Sequence, residues 1–558
     1  MTRANQSQTR SLYQLLAAWR SAVFGTDHPK PPPYNGPDVQ LSAIVEHTAH
    51  VKSGACFVAR VRTGTDGHPY IGQAVENGAS LILGQRDPVE LSVNLDGVPY
   101  LRADDTAVAE AWLAAAWYGF PSHDLVMIGV TGTDGKTTTA NLLFSILNQA
   151  GLNAGLLSTV KAVIGDEEEP LALHVTTPEA PVVQSYLRRM VDAGASYCIL
   201  EATSHGLAQD RVGAIDFDVA VVTNITHEHL DYHGDFEGYF GAKEKLFRGL
   251  GIGNQGSGNG DQGMTAGAEL KRRLVKTAVL NRDDGSYDRL AAIPAGRHLT
   301  YGLAPGSDVT AEAITYGGQS TKLTLRLPSP DPPRPLVSTL VGQFNLYNML
   351  AAAATGHALD MAPEVIAAGL YQANRLNGRM ERIDRGQPFL VLVDFAHTPN
   401  ALEQAIAAGR SLVDPTSDGR VITVFGSAGK RDVEKRRLMA QISARDANLT
   451  VLTAEDPRTE ALDDILAMMA EGCASQDSVE GVGFWRVPDR GQAIYFALSL
   501  ARPADVLLIC GKGHEQSMCF GATEYPWDDV QATEAALDAF LTGQPMVDLG
   551  LPTFEADE

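Results

Sequence analysis

The sequence predicts an α/β chain of several domains, with a phosphate-binding unit at its centre and a Rossmann-like parallel sheet in its C-terminal part. Three observations carry that prediction. The apolar run Leu125 to Ile128 reads as a buried strand, breaks at Gly129 and Gly132 into a turn-rich loop, and gives way at Lys136 to a helix with Leu142, Leu143, Ile146 and Leu147 on one face. Two further apolar runs, Tyr197 to Leu200 and Val219 to Thr223, end in polar clusters. After residue 379 a strand, polar tip and helix recur at Phe389–Val393, Val421–Phe425, Leu449–Leu452 and Val506–Cys510. Ligands of open α/β sheets bind at the carboxyl ends of strands, so these tips are the candidate site.

Taken in order, a short helix spans Leu12 to Val23 and leads into the connector KPPPYNGP. Asp66-Gly67-His68 lies in a polar loop before the next helix, and a helix from Ala107 to Tyr118 precedes a boundary near residue 122. In TGTDGKTT, Thr131 to Thr138, backbone N–H groups and the helix dipole suit a phosphate. Lys136 would reach the outer phosphates and the Thr137 hydroxyl would ligate Mg²⁺. The glycine stands at 129 rather than 130, one place off the strict spacing. Thr176-Thr177-Pro178 suits a helix start. Glu201, at a strand tip beside the phosphate loop, is placed to ligate Mg²⁺. In the helix Phe236 to Leu250, Lys243 falls on the apolar stripe with Phe240, Leu246, Phe247 and Leu250. An unpaired buried ammonium is costly, so Lys243 either snorkels out, is paired or neutralised, or is modified. The glycine-rich segment 251–268 reads as a flexible surface loop, and a β-rich stretch from Lys322 to Leu340 holds a proline-rich hairpin. A helix opens at Gly342. There is no G-x-G-x-x-G, so dinucleotide binding is not expected.

Length bounds the chain to roughly three or four domains. A net charge of −23 argues against a nucleic-acid or anionic-membrane surface. The five cysteines are scattered without metal-ligand spacing, which suits a reduced cytoplasm. No signal peptide and no membrane insertion are expected.

Together these motifs resemble the Mur ligases, the ATP-dependent amide-forming enzymes of peptidoglycan synthesis. The likeness rests on TGTDGKTT, Asn224, His229, YFGAK with Lys243, Asn345 and Asn348, and GRMERI at Gly378 to Ile383. EATSHGLAQDRV, HLDYHG, DFAHTPNAL and AEDPRTE make the set most similar to the members that add the third residue of the stem peptide. The resemblance implies three domains: residues 1–122 for the UDP-sugar, 123–378 for ATP, and 379–558 for the amino acid. It implies ATP and Mg²⁺ as cofactors, UDP-MurNAc-dipeptide and a diamino acid as substrates, and a cytoplasmic monomer.

It further implies roles for residues. Lys136, Lys243 and His229 would be catalytic. Gly132, Thr133, Asp134, Gly135, Lys136, Thr137, Thr138, Asn224, Asn345, Arg379, Asp394 and His397 would bind ATP. Thr137, Glu201, His229 and a carbamylated Lys243 would hold metal. Thr48, Thr176, Thr177, Thr203, Gln209 and Arg211 would bind the UDP-linked substrate, with His47-Thr48-Ala49 standing where the family has Asp-Ser-Arg. Arg431, Glu455, Asp456, Pro457, Arg458, Gly511 and Glu515 would bind the acceptor. Arg458 favours meso-diaminopimelate. Asp456, where the meso-diaminopimelate-adding members have asparagine, could neutralise Arg458 or bind a distal ammonium, which leaves L-lysine and L-ornithine open. A folylpolyglutamate synthase, the D-Ala-D-Ala-adding Mur ligase and a non-catalytic ATP-binding scaffold are the competing readings. The TTP, HLDYHG and EDPR motifs disfavour the first two, and Lys136, Glu201 and Lys243 disfavour the third.

Overall fold

The computed structural model describes residues 9–554 apart from 63, 92, 172–176, 227, 251–264, 318–319, 329, 374–377 and 415. Near the N-terminus, strands Ala43–Val45, Ala55–Val58, Leu81–Gly84 and Tyr100–Arg102 form a parallel sheet in that order. Helices Leu12–Ala22 and Thr106–Trp117 cover it, each started by a side-chain cap, Ser11 and Asp105. Trp19 and Trp112 stack between them with ring centroids 5.9 Å apart.

The central sheet has eight strands, in the order Glu167–Pro170, Lys161–Ile164, Ala154–Leu157, Tyr197–Glu201, Val126–Thr131, Val219–Val222, Thr277–Asn281 and Arg297–Tyr301. From Ala154–Leu157 onward every pairing is parallel. The phosphate-loop strand therefore lies between the strands ending at Glu201 and Val222, and this register gathers three polar tips at one edge. Leu142, Leu143, Ile146 and Leu147 of the helix Lys136–Gln149 are fully buried on one face of the sheet. Each such side chain contributes roughly 1.5–3 kcal/mol. The helix Gln343–Ala358 completes that layer, and the helix Phe236–Arg248 packs on the other face.

A three-stranded antiparallel sheet, Thr310–Gly317, Ser320–Arg326 and Arg334–Ser338, follows. The C-terminal sheet has six strands, in the order Glu381–Ile383, Leu390–Asp394, Val506–Cys510, Val421–Phe425, Leu449–Leu452 and Phe484–Arg486. Only the pairing of Glu381–Ile383 is antiparallel. The four strands read from sequence are here within one residue of their expected bounds. One expectation is corrected: the glycine-rich segment does not run to residue 268, because Thr265 caps a helix Ala266–Arg273. Its remainder, 251–264, lies outside the described residues. Among the described residues no helix is long and apolar enough to cross a membrane.

Candidate active site

The tips of the central and C-terminal sheets line one cavity of about 1300 Å³. At its floor the phosphate loop is packed without slack. Gly132 and Gly135 have φ of 149° and 82°. A Cβ on Gly135 would stand 2.2 Å from Asn348 Oδ1, and one on Gly132 would stand 1.8 Å from Thr223 Oγ1. Asn224 backs the loop: its carbonyl accepts from Thr133 N at 2.7 Å and its Oδ1 from Asp134 N at 3.1 Å. Lys136 folds back over the loop, donating to the carbonyls of Thr133 (2.7 Å) and Gly132 (3.1 Å). Thr138 is buried in the first helical turn.

Thr137 Oγ1 donates to Glu201 Oε2 at 3.1 Å and accepts from Arg379 at 3.2 Å. Glu201 is buried, and burial raises its pKa against the pull of Lys136 and Arg379. Its Oε1 is a buried oxygen with no hydrogen-bond partner among the described atoms. The C-terminal unit also reaches the loop directly, with Asn400 donating to Asp134 Oδ2 at 2.8 Å. Asp394 accepts from the backbone N–H groups of Met380 (2.7 Å) and Ala396 (2.8 Å), and His397 stands against Phe395 with centroids 4.4 Å apart.

Lys243 does not snorkel. It is 1% exposed, donates to the Gly132 carbonyl at 2.6 Å and sits 4.6 Å from the Tyr239 ring centroid. Burial and the neighbouring Lys136 push its pKa well below that of a free lysine. His229 adopts a positive φ of 56°, stands edge-on to His205 at 4.8 Å, and has Nε2 3.6 Å from Glu228 Oε1. Glu228 also lies 3.8 Å from His397 Nε2.

On the opposite wall Thr177 Oγ1 and Thr203 Oγ1 are 2.9 Å apart, and Thr203 caps the short helix Ser204–Ala208. Arg211 donates to Gln209 Oε1 at 2.8 Å and pairs with Glu179 at 2.9 Å. Thr176 lies outside the described residues. Thr48 is not brought to this cavity; it sits on the turn Thr48–His50 of the N-terminal unit, where its carbonyl accepts from Asn77 Nδ2 at 2.9 Å.

At the C-terminal tips, Arg431, Glu455, Asp456, Arg458, Gly511 and Glu515 all line the cavity. Pro457 backs them, its carbonyl 1.9 Å from where a Cβ on Gly429 would fall. Burial pushes the Glu455 carboxyl up to about 7 against the pull of Lys435 and Lys512. Asp456 has partners within the tips. Its Oδ1 accepts from Lys512 Nζ at 3.0 Å and from Cys519 N at 2.9 Å. Lys512 also pairs with Glu515 at 2.5 Å. Lys512 thus bridges Asp456 and Glu515.

Two matched stretches of sequence then fix the family. Residues 130–356 match the Mur ligase middle domain, and residues 378–513 match the Mur ligase glutamate ligase domain. A UDP-N-acetylmuramyl-tripeptide synthetase of Roseiflexus sp. (strain RS-1) is 41% identical over 91% of this chain and 96% of its own length. The chain belongs to the Mur ligase family. This Mur ligase is also 38% identical, over 90% of the chain and 96% of the relative, to a UDP-N-acetylmuramoyl-L-alanyl-D-glutamate--2,6-diaminopimelate ligase of Geobacillus kaustophilus. A solved structure with that same ligase name superposes with a TM-score of 0.59 at 27% identity, covering 90% of this chain and 95% of that one. A MurF ligase of Thermotoga maritima solved with ADP, at 17% identity and a TM-score of 0.56, shares the fold.

Mur ligases are ATP-dependent enzymes that work with Mg²⁺, and the residues present fit both. The glycine cradle leaves backbone donors for phosphate. Glu201 Oε1 and the Thr137 hydroxyl are hard oxygens, the ligands Mg²⁺ prefers while keeping waters and substrate phosphates in its shell. Among the described residues no three His, Cys, Asp or Glu side chains form a ready-made cage. Sequence reasoning missed Glu228, Lys512, Tyr239 and Asn348 as cavity residues. Asn348, matched as a family residue but not assigned to the site, lines the cavity. Asn345 is buried behind it, accepting from Asn348 Nδ2 at 3.2 Å.

Proposed function

We propose that this Mur ligase joins meso-diaminopimelate to the D-Glu carboxylate of UDP-MurNAc-L-Ala-D-Glu, as a cytoplasmic monomer. The observation that carries this is the single cavity in which the phosphate loop, the Thr203–Arg211 wall and the EDPR and GKGHE tips face one another. A carboxylate does not react with an amine, so the reaction needs an activated acid. The substrate carboxylate takes the γ-phosphoryl group of ATP to give an acyl phosphate and ADP. The acceptor amine then attacks the carbonyl carbon, the C–O bond to phosphate breaks, and a proton leaves the nitrogen as the amide forms.

Loop N–H groups and Lys136 stabilise charge on the transferring phosphoryl oxygens. Mg²⁺ held by Glu201 and Thr137 adds positive charge there when bound. Lys243, whose ammonium form burial disfavours, is the amine we assign to carbamylation; as a carbamate it would supply carboxylate-like oxygens for the metal site, with His229 as a further ligand. Thr176, Thr177, Thr203, Gln209 and Arg211 hold the UDP-linked substrate, with residues 1–122 taking its nucleotide end, 123–378 the ATP and 379–558 the acceptor. Arg458 and Arg431 receive the distal carboxylate of diaminopimelate in planar, charge-assisted contacts. Asp456 is held by Lys512, which it shares with Glu515, so the preference for diaminopimelate rests on the two arginines.

The test is phosphate release with UDP-MurNAc-dipeptide and each diamino acid in turn. Meso-diaminopimelate should give the highest kcat/KM. Equal or better use of L-lysine or L-ornithine would overturn the acceptor assignment, and no release with any of the three would overturn the assignment of UDP-MurNAc-dipeptide as the substrate.

A further inference from the structure

Behind the acceptor tips lies a buried ion pair that the chemistry above does not use. Arg490 opens the helix Arg490–Leu500 and Asp529 opens the helix Asp529–Thr542. Both side chains are 0% exposed. The guanidinium grips the carboxylate as a fork, Nε to Oδ1 and one Nη to Oδ2, each at 2.7 Å. Its remaining donors leave the pair. One reaches the carbonyl of Ala454 at 3.3 Å and another that of Cys510 at 2.9 Å. Ala454 immediately precedes Glu455, and Cys510 immediately precedes Gly511. Asp529 holds the second tip from its other side, accepting from Gly513 N at 3.0 Å. Trp527 Nε1 donates to Asp529 Oδ1 at 2.8 Å and completes the carboxylate's shell.

We propose that the Arg490–Asp529 pair is the positioning device that sets the EDPR tip against the GKGHE tip, and through that spacing sets affinity for the acceptor amino acid. The inference rests on the reading that the acceptor binds between those two tips. A buried ion pair that serves stability alone can be replaced by apolar groups at little cost. Here the donors are spent on two backbone carbonyls from different strands, which only a planar guanidinium can span while still holding a carboxylate. Lysine in place of Arg490 keeps the charge and the pairing to Asp529 but presents no second fork. Both carbonyls belong to acceptor tips and neither to the phosphate loop, so nucleotide binding lies outside the device.

The experiment measures KM for acceptor, ATP and UDP-MurNAc-dipeptide, with thermal unfolding, in the intact chain carrying Arg490→Lys or Trp527→Phe. Trp527→Phe keeps an aromatic ring in place and removes one donor at the cost of a small cavity, which the thermal unfolding reads, so it answers the question if Arg490→Lys fails to fold. The acceptor is whichever diamino acid the wild type turns over best. The comparison of acceptors thus judges the substrate reading, and the ratio of variant to wild type judges this inference. The expected result is an acceptor KM raised about tenfold or more in Arg490→Lys and several-fold in Trp527→Phe, with the other two KM values within about twofold of wild type. An unchanged acceptor KM in the folded variants, or a parallel rise in all three KM values, would overturn it.

Discussion

Lys243→Met separates what the buried lysine does for the fold from what it does for chemistry. Methionine matches lysine in length and in helix propensity, so the helix Phe236–Arg248 loses nothing locally. The position is flanked by the buried Phe240, Leu246 and Phe247. What is lost is one hydrogen bond to the Gly132 carbonyl and one contact with the Tyr239 ring. What is gained is relief from holding an amine in a site that also faces Lys136. Desolvating a polar group with partial compensation costs about 1–3 kcal/mol, while the lost hydrogen bond contributed about 1 kcal/mol. Lys243→Met should therefore be stable to within about 1 kcal/mol of wild type or more stable by up to about 2 kcal/mol, a shift of roughly 2–4 °C per kcal/mol for a unit of this size. The pH dependence follows from the sign of the shift. The folded-state pKa lies below that of the unfolded chain, so the wild type loses stability as pH falls through the folded value and recovers it towards the unfolded value near about 10. The variant lacks that slope, and its advantage shrinks as pH rises. Thermal unfolding in CO₂-free buffer across pH, paired with phosphate release, reads both effects. Ligation should be nearly abolished, with partial return on adding small carboxylic acids. A variant destabilised by more than about 2 kcal/mol, or one retaining wild-type turnover, would refute the reasoning.

Other outcomes follow from single side chains. Lys136→Ala should lower kcat by about a hundredfold or more, because its charge is needed at the phosphates, while the melting temperature stays near wild type; single-turnover ATP cleavage checks the first and thermal unfolding the second. Arg458→Ala should lose about ten- to a hundredfold of the preference for meso-diaminopimelate over lysine, measured as a ratio of kcat/KM values. Glu455 titrates in the folded state at about 7, above its unfolded value, so the stability it contributes is fully present below that unfolded value and lost as pH rises through 7. Glu455→Gln should flatten the melting temperature over that interval, and an unchanged slope would assign the titration to another group.

The strands, the phosphate loop and the Lys243 stripe were legible in the sequence because each is a local pattern: an apolar run of strand length, a glycine loop before Lys-Thr, and a 3.6-residue period. The strand Thr310–Gly317 went unread because most of its residues are half-buried or exposed on both faces, leaving no clean alternation. The pairing of Asp456 with Lys512 and of Arg490 with Asp529 joins residues 56 and 39 positions apart, on different strand tips and helices. No spacing rule reaches across such crossovers; only the strand order, which sets Val506–Cys510 beside Val421–Phe425, brings those groups together. Which asparagine faces the cavity was equally hidden, since Asn345 and Asn348 lie one helical turn apart and the side presented is decided by tertiary packing.

The contacts of Asn400 with Asp134, and of Arg379 with Thr137, tie the phosphate loop to the C-terminal unit. Both loop residues are ones a triphosphate and its counter-ion would engage. Occupancy of the loop and docking of the two units are thus linked equilibria, and linkage is reciprocal: whatever factor nucleotide contributes to docking, docking returns to nucleotide affinity. A substitution at Asn400, far from the phosphate loop in sequence, should change how tightly the loop holds its ligand, and a separated central unit should bind with a different constant from the whole chain.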